Sequence, residues 1–306
     1  AIGEHEDGHV HCDSGPDYSA LSVSPEIFCE RHDNRRSERL RRCRFMYSIV
    51  RLPDDEAYRV WKLFPDTYVI HYGEALDCFL LLGESKALLI DTAYGRGDFP
   101  NIVEKCREGR ELLVVNTHGH FDHTGGNRFF PKVYMHRNAF AYANHSFGKL
   151  DEKWLANMPY PEYEMAAVED GYVFALGGRD VEVLWTPAHS DSSLSFIDHG
   201  RRLLFCGDEF DAGQANLGEF KSVGAFLANC RRLKAREEEY DFIMPNHNGC
   251  PITKEYLDDF IAAAAHVVEG KPDYVSTEHL EGYMHSVYPG AVRVQVGNSC
   301  INYCKQ

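Results

Sequence analysis

The segment His118-Gly119-His120-Phe121-Asp122-His123 constrains this chain more than any other stretch of it. Three imidazoles and one carboxylate fall within six residues. The segment follows an apolar run, Leu112 to Asn116, that reads as a buried strand. Asn116, Thr117 and the Gly125-Gly126 pair suit a tight turn at that strand's end. Such a turn can aim His118 and His120 to one side and turn Asp122 and His123 toward a second point. Zinc takes imidazole nitrogen and carboxylate oxygen as ligands, and a catalytic zinc keeps one position open for water. Four donors divided between two points are too few for two metals, so others must come from elsewhere in the chain.

Three candidates follow in order: His189 in Thr186-Pro187-Ala188-His189-Ser190, Asp208 in Leu204-Phe205-Cys206-Gly207-Asp208, and His247 in Met244-Pro245-Asn246-His247-Asn248. Each stands in a loop just after an apolar run, where a scaffold presents reactive groups. A single histidine is usually a core or surface residue, and this chain has 16. His71, His136, His145, His199, His266, His279 and His285 are read that way. Cys206 and Cys250, close in sequence to the donors, read as structural thiols. His5, His9, His11 and Cys12 sit in a polar terminus, where such residues collect by chance.

The chain divides into an extension, residues 1–45, polar and then Arg-rich, and a catalytic domain, residues 46–306, that ends in a strand segment. RVWKLFPDTYVIHYG predicts two strands around a Pro-Asp turn, and CFLLLG-ESK-ALLIDT a buried hairpin. Strands are also expected at KVYMH, Val181 to Trp185, Leu194 to Ile197, Arg202 to Cys206 and DFIM. AVRVQVGNSCINYC reads as a strand pair. Helices are expected at Asp98 to Cys106, over RNAFAYANH, at Glu219 to Arg236 and at Lys254 to Glu269, the last stopped by Gly270. Residues 144–166 read as a loop or helical insertion. Helices outside two sheets fit this order.

The net charge of −15 weighs against nucleic acid, whose binding needs a basic surface. One basic cluster does exist, at Arg31, Arg35, Arg36, Arg39, Arg41, Arg42 and Arg44. It reads as a solvated or internally docked segment before it reads as an anion site. No apolar run approaches the roughly 18 residues of a membrane span, so no membrane association is expected. The start AIGEHEDGHVHCD has no apolar region of a secretion signal. The ten cysteines contain no CxxC, only a C-x₃-C at Cys300 and Cys304, and read as reduced. Both features are those expected of a cytoplasmic protein, and a homodimer stays open as the alternative to a monomer.

THGHFDHTGG, TPAHSDSSLSF, LLFCGD and MPNHNG, preceded by LLIDTAYG, resemble the ligand signature of the metallo-β-lactamase superfamily. The match runs in order over roughly residues 58 to 270. The resemblance implies an α+β fold, a four-layer αββα sandwich with metals at one edge between the sheets. It implies two zinc ions, with iron or manganese as alternatives. His118, His120 and His189 would hold one, Asp122, His123 and His247 the other, and Asp208 would bridge them. Asp91 would support the ligands or the fold. Asp122 is the expected catalytic residue, and Tyr94, Phe121 and Asn248 the expected substrate contacts on the rim.

The implied activity is hydrolysis of a small ester, thioester or lactone through a metal-bound hydroxide. Fold does not settle reaction in so varied a family. Penicillin-hydrolysing members have another residue at the bridging position, so β-lactam hydrolysis would be minor here. Asp208 resembles the glyoxalase II and lactonase branch. Yet Asp208-Glu209-Phe210-Asp211 lacks the tyrosine that lactonases place there, and glyoxalase II's basic tail is missing. The other enzymatic reading is a mononuclear non-haem iron oxidoreductase resembling persulfide dioxygenases, which needs fewer ligands. A binding module without catalysis would not need the complete ligand set.

Overall fold

A computed structural model describes residues 57–73, 76–143, 163–217, 223–270 and 291–304, together with the strands Ser48–Ile49 and Ser276–His279. The expected extension, its Arg cluster, His145 and His285 lie outside the described residues.

Eight strands form the first sheet, in sequence order: β1 (Ser48–Ile49), β2 (Tyr58–Phe64), β3 (Thr67–Tyr72), β4 (Leu76–Leu82), β5 (Lys86–Ile90), β6 (Glu111–Val115), β7 (Lys132–Met135) and β8 (Glu164–Ala167). The first five pair antiparallel, and β5 to β8 run parallel. Every residue of β4 is buried, which explains its unbroken apolar run: both faces are covered. Cys78, Leu80 and Leu82 pack with Phe99, Ile102, Val103 and Cys106 of helix α1 (Phe99–Cys106). Alternation turns Phe79 to the other face, where its ring centroid lies 4.9 Å from that of Phe205 in the second sheet.

That second sheet contains β9 (Val173–Ala175), β10 (Asp180–Trp185), β11 (Leu194–Asp198), β12 (Leu203–Gly207), β14 (Phe242–Pro245) and β15 (Ile252–Thr253), in the order β15-β14-β12-β11-β10-β9. Its outer face, with Leu184, Ile197, Leu204 and Ile243, packs on α3 (Val223–Lys234) and α4 (Tyr256–Glu269). The short helix α2 (Phe121–Thr124) lies inside the histidine motif. Helix, sheet, sheet and helices make the expected α+β sandwich. Gly270 ends α4 at φ +64, a left-handed stop that glycine adopts without a Cβ penalty.

The expected C-terminal strand pair, β17 (Ala291–Val296) and β18 (Ser299–Cys304), belongs to a third sheet whose other two strands, β13 (Gln214–Leu217) beside β18 and β16 (Ser276–His279) beside β17, the sequence pattern does not predict. Two further expectations need correction. RNAFAYANH holds only a 3₁₀ turn at Arg137–Ala139 in its described part, capped when the His136 ring accepts from the Asn138 N–H. The Asn138 and Tyr142 side chains bond across to Asp191, so tertiary contacts override helical propensity. Residues 164–167, expected in a loop or helix, form β8 because β7 offers a parallel edge. Among the described residues, no helix is long and apolar enough to cross a membrane.

Strand direction positions the site. β5 and β6 are parallel, so Asp91 and the histidine motif emerge at the same edge of the first sheet. In the second sheet β12 and β14 are parallel, and β10 points the same way through two antiparallel pairings. Their ends deliver the loops carrying His189, Asp208 and His247 to one edge of the sandwich, the location where open sheets bind ligands. At the opposite end, buried Arg179 ties the sheets together, donating to Asp198 on one and to the Leu82 carbonyl and Thr67 hydroxyl on the other.

Candidate active site and metal centre

Asp91 organises the first-sheet half of the site. It is fully buried and sits at φ +63, a left-handed conformation that aspartate tolerates better than most residues. Its carboxylate accepts from the Thr117 N–H (2.7 Å), the Thr117 hydroxyl (2.8 Å), His123 Nδ1 (2.8 Å) and Asn246 Nδ2 (2.8 Å). Because the Thr117 hydroxyl donates to Asp91, it must accept from His118 Nδ1, 3.0 Å away. Those bonds set both tautomers and leave Nε2 of His118 and His123 as lone-pair donors. His189 is set likewise, its Nδ1 lying 2.9 Å from the Asn216 carbonyl. Its Nε2 meets His120 Nδ1 at 3.1 Å.

Glycines permit the close approaches. A Cβ on Gly207, at φ +57, would lie 2.7 Å from Thr117 Cβ, and one on Gly119 would lie 2.5 Å from the Tyr142 ring. Backbone and ring thus pack where any side chain would push the donors apart.

The seven expected donors gather into two groups. His118, His120, His189 and Asp208 offer atoms within 4.8 Å of one another, and so do Asp122, His123, Asp208 and His247. Asp208 belongs to both. It lies 4.0 Å from His118 Nε2, 3.2 Å from His123 Nε2, 3.8 Å from His189 Nε2 and 3.5 Å from His247 Nε2. His118 Nε2, His123 Nε2 and Asp208 Oδ1 are buried without a hydrogen-bond partner. Buried polar atoms are rarely left so, and a cation among them would satisfy all three. A further group, Glu182, His199 and Glu239, differs in kind. There the Arg236 guanidinium already pairs with both carboxylates.

The electrostatics fit a cation. Burial, then the neighbouring imidazoles, holds His118 and His120 well below the usual histidine range, neutral as metal ligands must be. Burial opposes protonation of His247 as well, but Asp208, Asp122 and Asp211 outweigh it and raise it to about 10. His123 is raised for the same kind of reason, chiefly by Asp208 against burial. The second group therefore carries excess negative charge that takes up protons when no metal is present. Among the described residues, no lysine or arginine forms an ion pair with Asp91, Asp122, Asp208 or Asp211; the ion-pair partners of the first three are imidazoles. Asp122 and His247 keep side-chain exposures of 25% and 18%, against 1% for His118. The site opens to solvent on the Asp122–His247 side.

Of the expected rim residues, Tyr94 is half-buried between the rings of Tyr72 and Phe121. Phe121 is half-buried, and Asn248, exposed at φ +62, lies 3.4 Å from Asp211 through its amide. Cys206 is buried, and Cys250 donates to Asp77, which also pairs with His71. Several residues escaped the sequence reading: Thr117, Asn246 and the Asn216 carbonyl, Glu209, which caps the His189 loop, and Asp211, which burial raises to about 8. The acid-rich GDEFD, with two acids beyond Asp208, was the available signal for the last two.

An αββα sandwich with a histidine–aspartate centre at its edge defines a class of metal-site enzymes. Residues 72–279 match the metallo-beta-lactamase superfamily, and the chain belongs to it. It is a hydrolase of that superfamily. The human acyl-coenzyme A thioesterase MBLAC2 is 28% identical over 189 residues, covering 53% of this chain and 68% of the relative. A hydroxyacylglutathione hydrolase of Francisella tularensis subsp. novicida is 30% identical over 137 residues, covering 44% and 48%. A metallo-beta-lactamase family protein of Thermus thermophilus shares the fold, with a TM-score of 0.53 at 23% identity over 68% of this chain and 82% of that one.

Proposed function

We propose that this chain hydrolyses a thioester at a centre of two metal ions, zinc being the expected metal. The observation that carries the reading is the sharing of Asp208 between two donor groups that together use all seven residues. The thioester class is supported by relatives whose names record that chemistry. Free thiols at all seven described cysteines are in keeping with a reducing, cytoplasmic setting.

His118, His120 and His189 would hold one metal, Asp122, His123 and His247 the other, with Asp208 between them. Metals bound there supply Lewis acidity, polarising an acyl oxygen and lowering the pKa of water to about 7. Asp122 stands on the open side, held ionised by His123 and His247 against its burial. It accepts a hydrogen bond from the attacking water, orients it and takes its proton. His118 and His123 are kept in register by Asp91, so the donors need no rearrangement before reaction. Tyr94 and Phe121 form an aromatic wall for the acyl chain beside Asp122. Asp122→Asn keeps the shape and loses the base. The expected result is thioester hydrolysis reduced by roughly 10²-fold or more. Undiminished turnover in that variant would refute the role.

A further inference from the structure

Glu209 follows Asp208 directly, is fully buried, and is held by hydrogen bonds from neutral donors. Its Oε2 accepts from the backbone N–H groups of Ala188 (3.3 Å) and His189 (3.2 Å), and its Oε1 from Asn229 Nδ2 (2.7 Å). Asn229 lies on α3, buried against the outer face of the second sheet. A buried carboxylate needs its hydrogen bonds, and here the donors are the backbone of one histidine loop and a helix remote from the chemistry. One side chain therefore ties three things together: the residue after Asp208, the main chain at His189, and α3. The loop is also bonded by Tyr142, whose hydroxyl contacts Asp191 (2.9 Å) and Ser192 (2.7 Å).

We propose that Glu209, anchored by Asn229, is a positioning residue that sets His189 relative to Asp208 and thereby the affinity of the three-histidine metal half. This rests on reading the two donor groups as metal sites. The effect is selective, because Glu209 bonds to the His189 loop and to α3, whereas His123 is oriented by Asp91 and His247 pairs with Asp122. Partners that orient metal ligands typically contribute about 10–100-fold in metal affinity.

The test is zinc affinity of the full chain, by chelator competition, in two backgrounds. His123→Ala leaves the three-histidine half, and His189→Ala leaves the other. Glu209→Ala and Asn229→Ala are expected to weaken zinc roughly 10-fold or more in the first background and less than about 3-fold in the second. Glu209→Gln, which still accepts from the loop N–H groups while a flipped Asn229 amide accepts from it, is expected to stay near the parent. Should Glu209→Ala not fold, Asn229→Ala and Glu209→Gln carry the comparison. Equal weakening in both backgrounds, no weakening in the first, or a Gln variant as poor as Ala would overturn the proposal. If His123→Ala and His189→Ala themselves leave zinc stoichiometry unchanged, the reading of the donor groups fails instead.

Discussion

Asp91→Asn isolates the hydrogen bonds behind the site, because asparagine tolerates the φ of +63 as well as aspartate does. Asp91 Oδ2 faces three donors, from Thr117, His123 and Asn246, and Oδ1 faces one, the Thr117 N–H. The new amide nitrogen takes the Oδ1 position, where only one donor–donor conflict arises. A buried donor left unsatisfied costs about 1–3 kcal/mol and the lost charge assistance to His123 about 1–2 more, a total of about 2–5 kcal/mol. Urea unfolding in the presence of a chelator measures this without a metal contribution, and zinc competition on the same protein measures the second half's affinity. The expected results are a stability loss in that range and about 10-fold weaker zinc or more. A loss below about 0.5 kcal/mol with unchanged zinc affinity would refute the view that Asp91 holds both loops.

Chelator-treated protein should lose stability as pH rises from 6.5 toward 10. His247 is raised from 6.5 to about 10, so its contribution is complete below 6.5 and gone above 10; Asp211, raised from 3.8 to about 8, acts in the same direction up to 8. A urea midpoint constant or rising over that window would contradict the assignment. Zinc displaces those protons, so calorimetry near neutral pH in buffers of different ionisation enthalpy should record proton release on binding. Gly119→Ala places a Cβ 2.5 Å from the Tyr142 ring and should lower zinc content; a parent-like zinc content in that variant would contradict the close packing. Phe79→Ala opens a cavity between the sheets and should cost about 3–5 kcal/mol while leaving zinc stoichiometry intact.

The residues that the fold gathers into the two candidate metal groups are legible because each stands just past an apolar strand, and strand ends are recognisable from local pattern. His189, Asp208 and His247 needed no knowledge of pairing partners. The residues that orient them were not readable, since their role depends on distant contacts. His189 Nδ1 bonds to the carbonyl of Asn216, a backbone atom that any residue offers. Glu209 reads as a surface acid until the fold buries it under α3. In the third sheet the C-terminal strand pair is legible, but its neighbour β13 is not, for a related reason: Gln214–Leu217 is short and half polar, and becomes a strand only beside Ser299–Cys304. Glu164–Ala167 and the turn at Arg137–Ala139 show tertiary partners overriding local preference.

The most direct measurement of the central claim is metal content of the purified chain together with turnover of a thioester panel, for the parent and Asp122→Asn. The account predicts two metal ions per chain and thioester hydrolysis that the substitution removes. One iron per chain, with oxygen consumption and no hydrolysis, would contradict it.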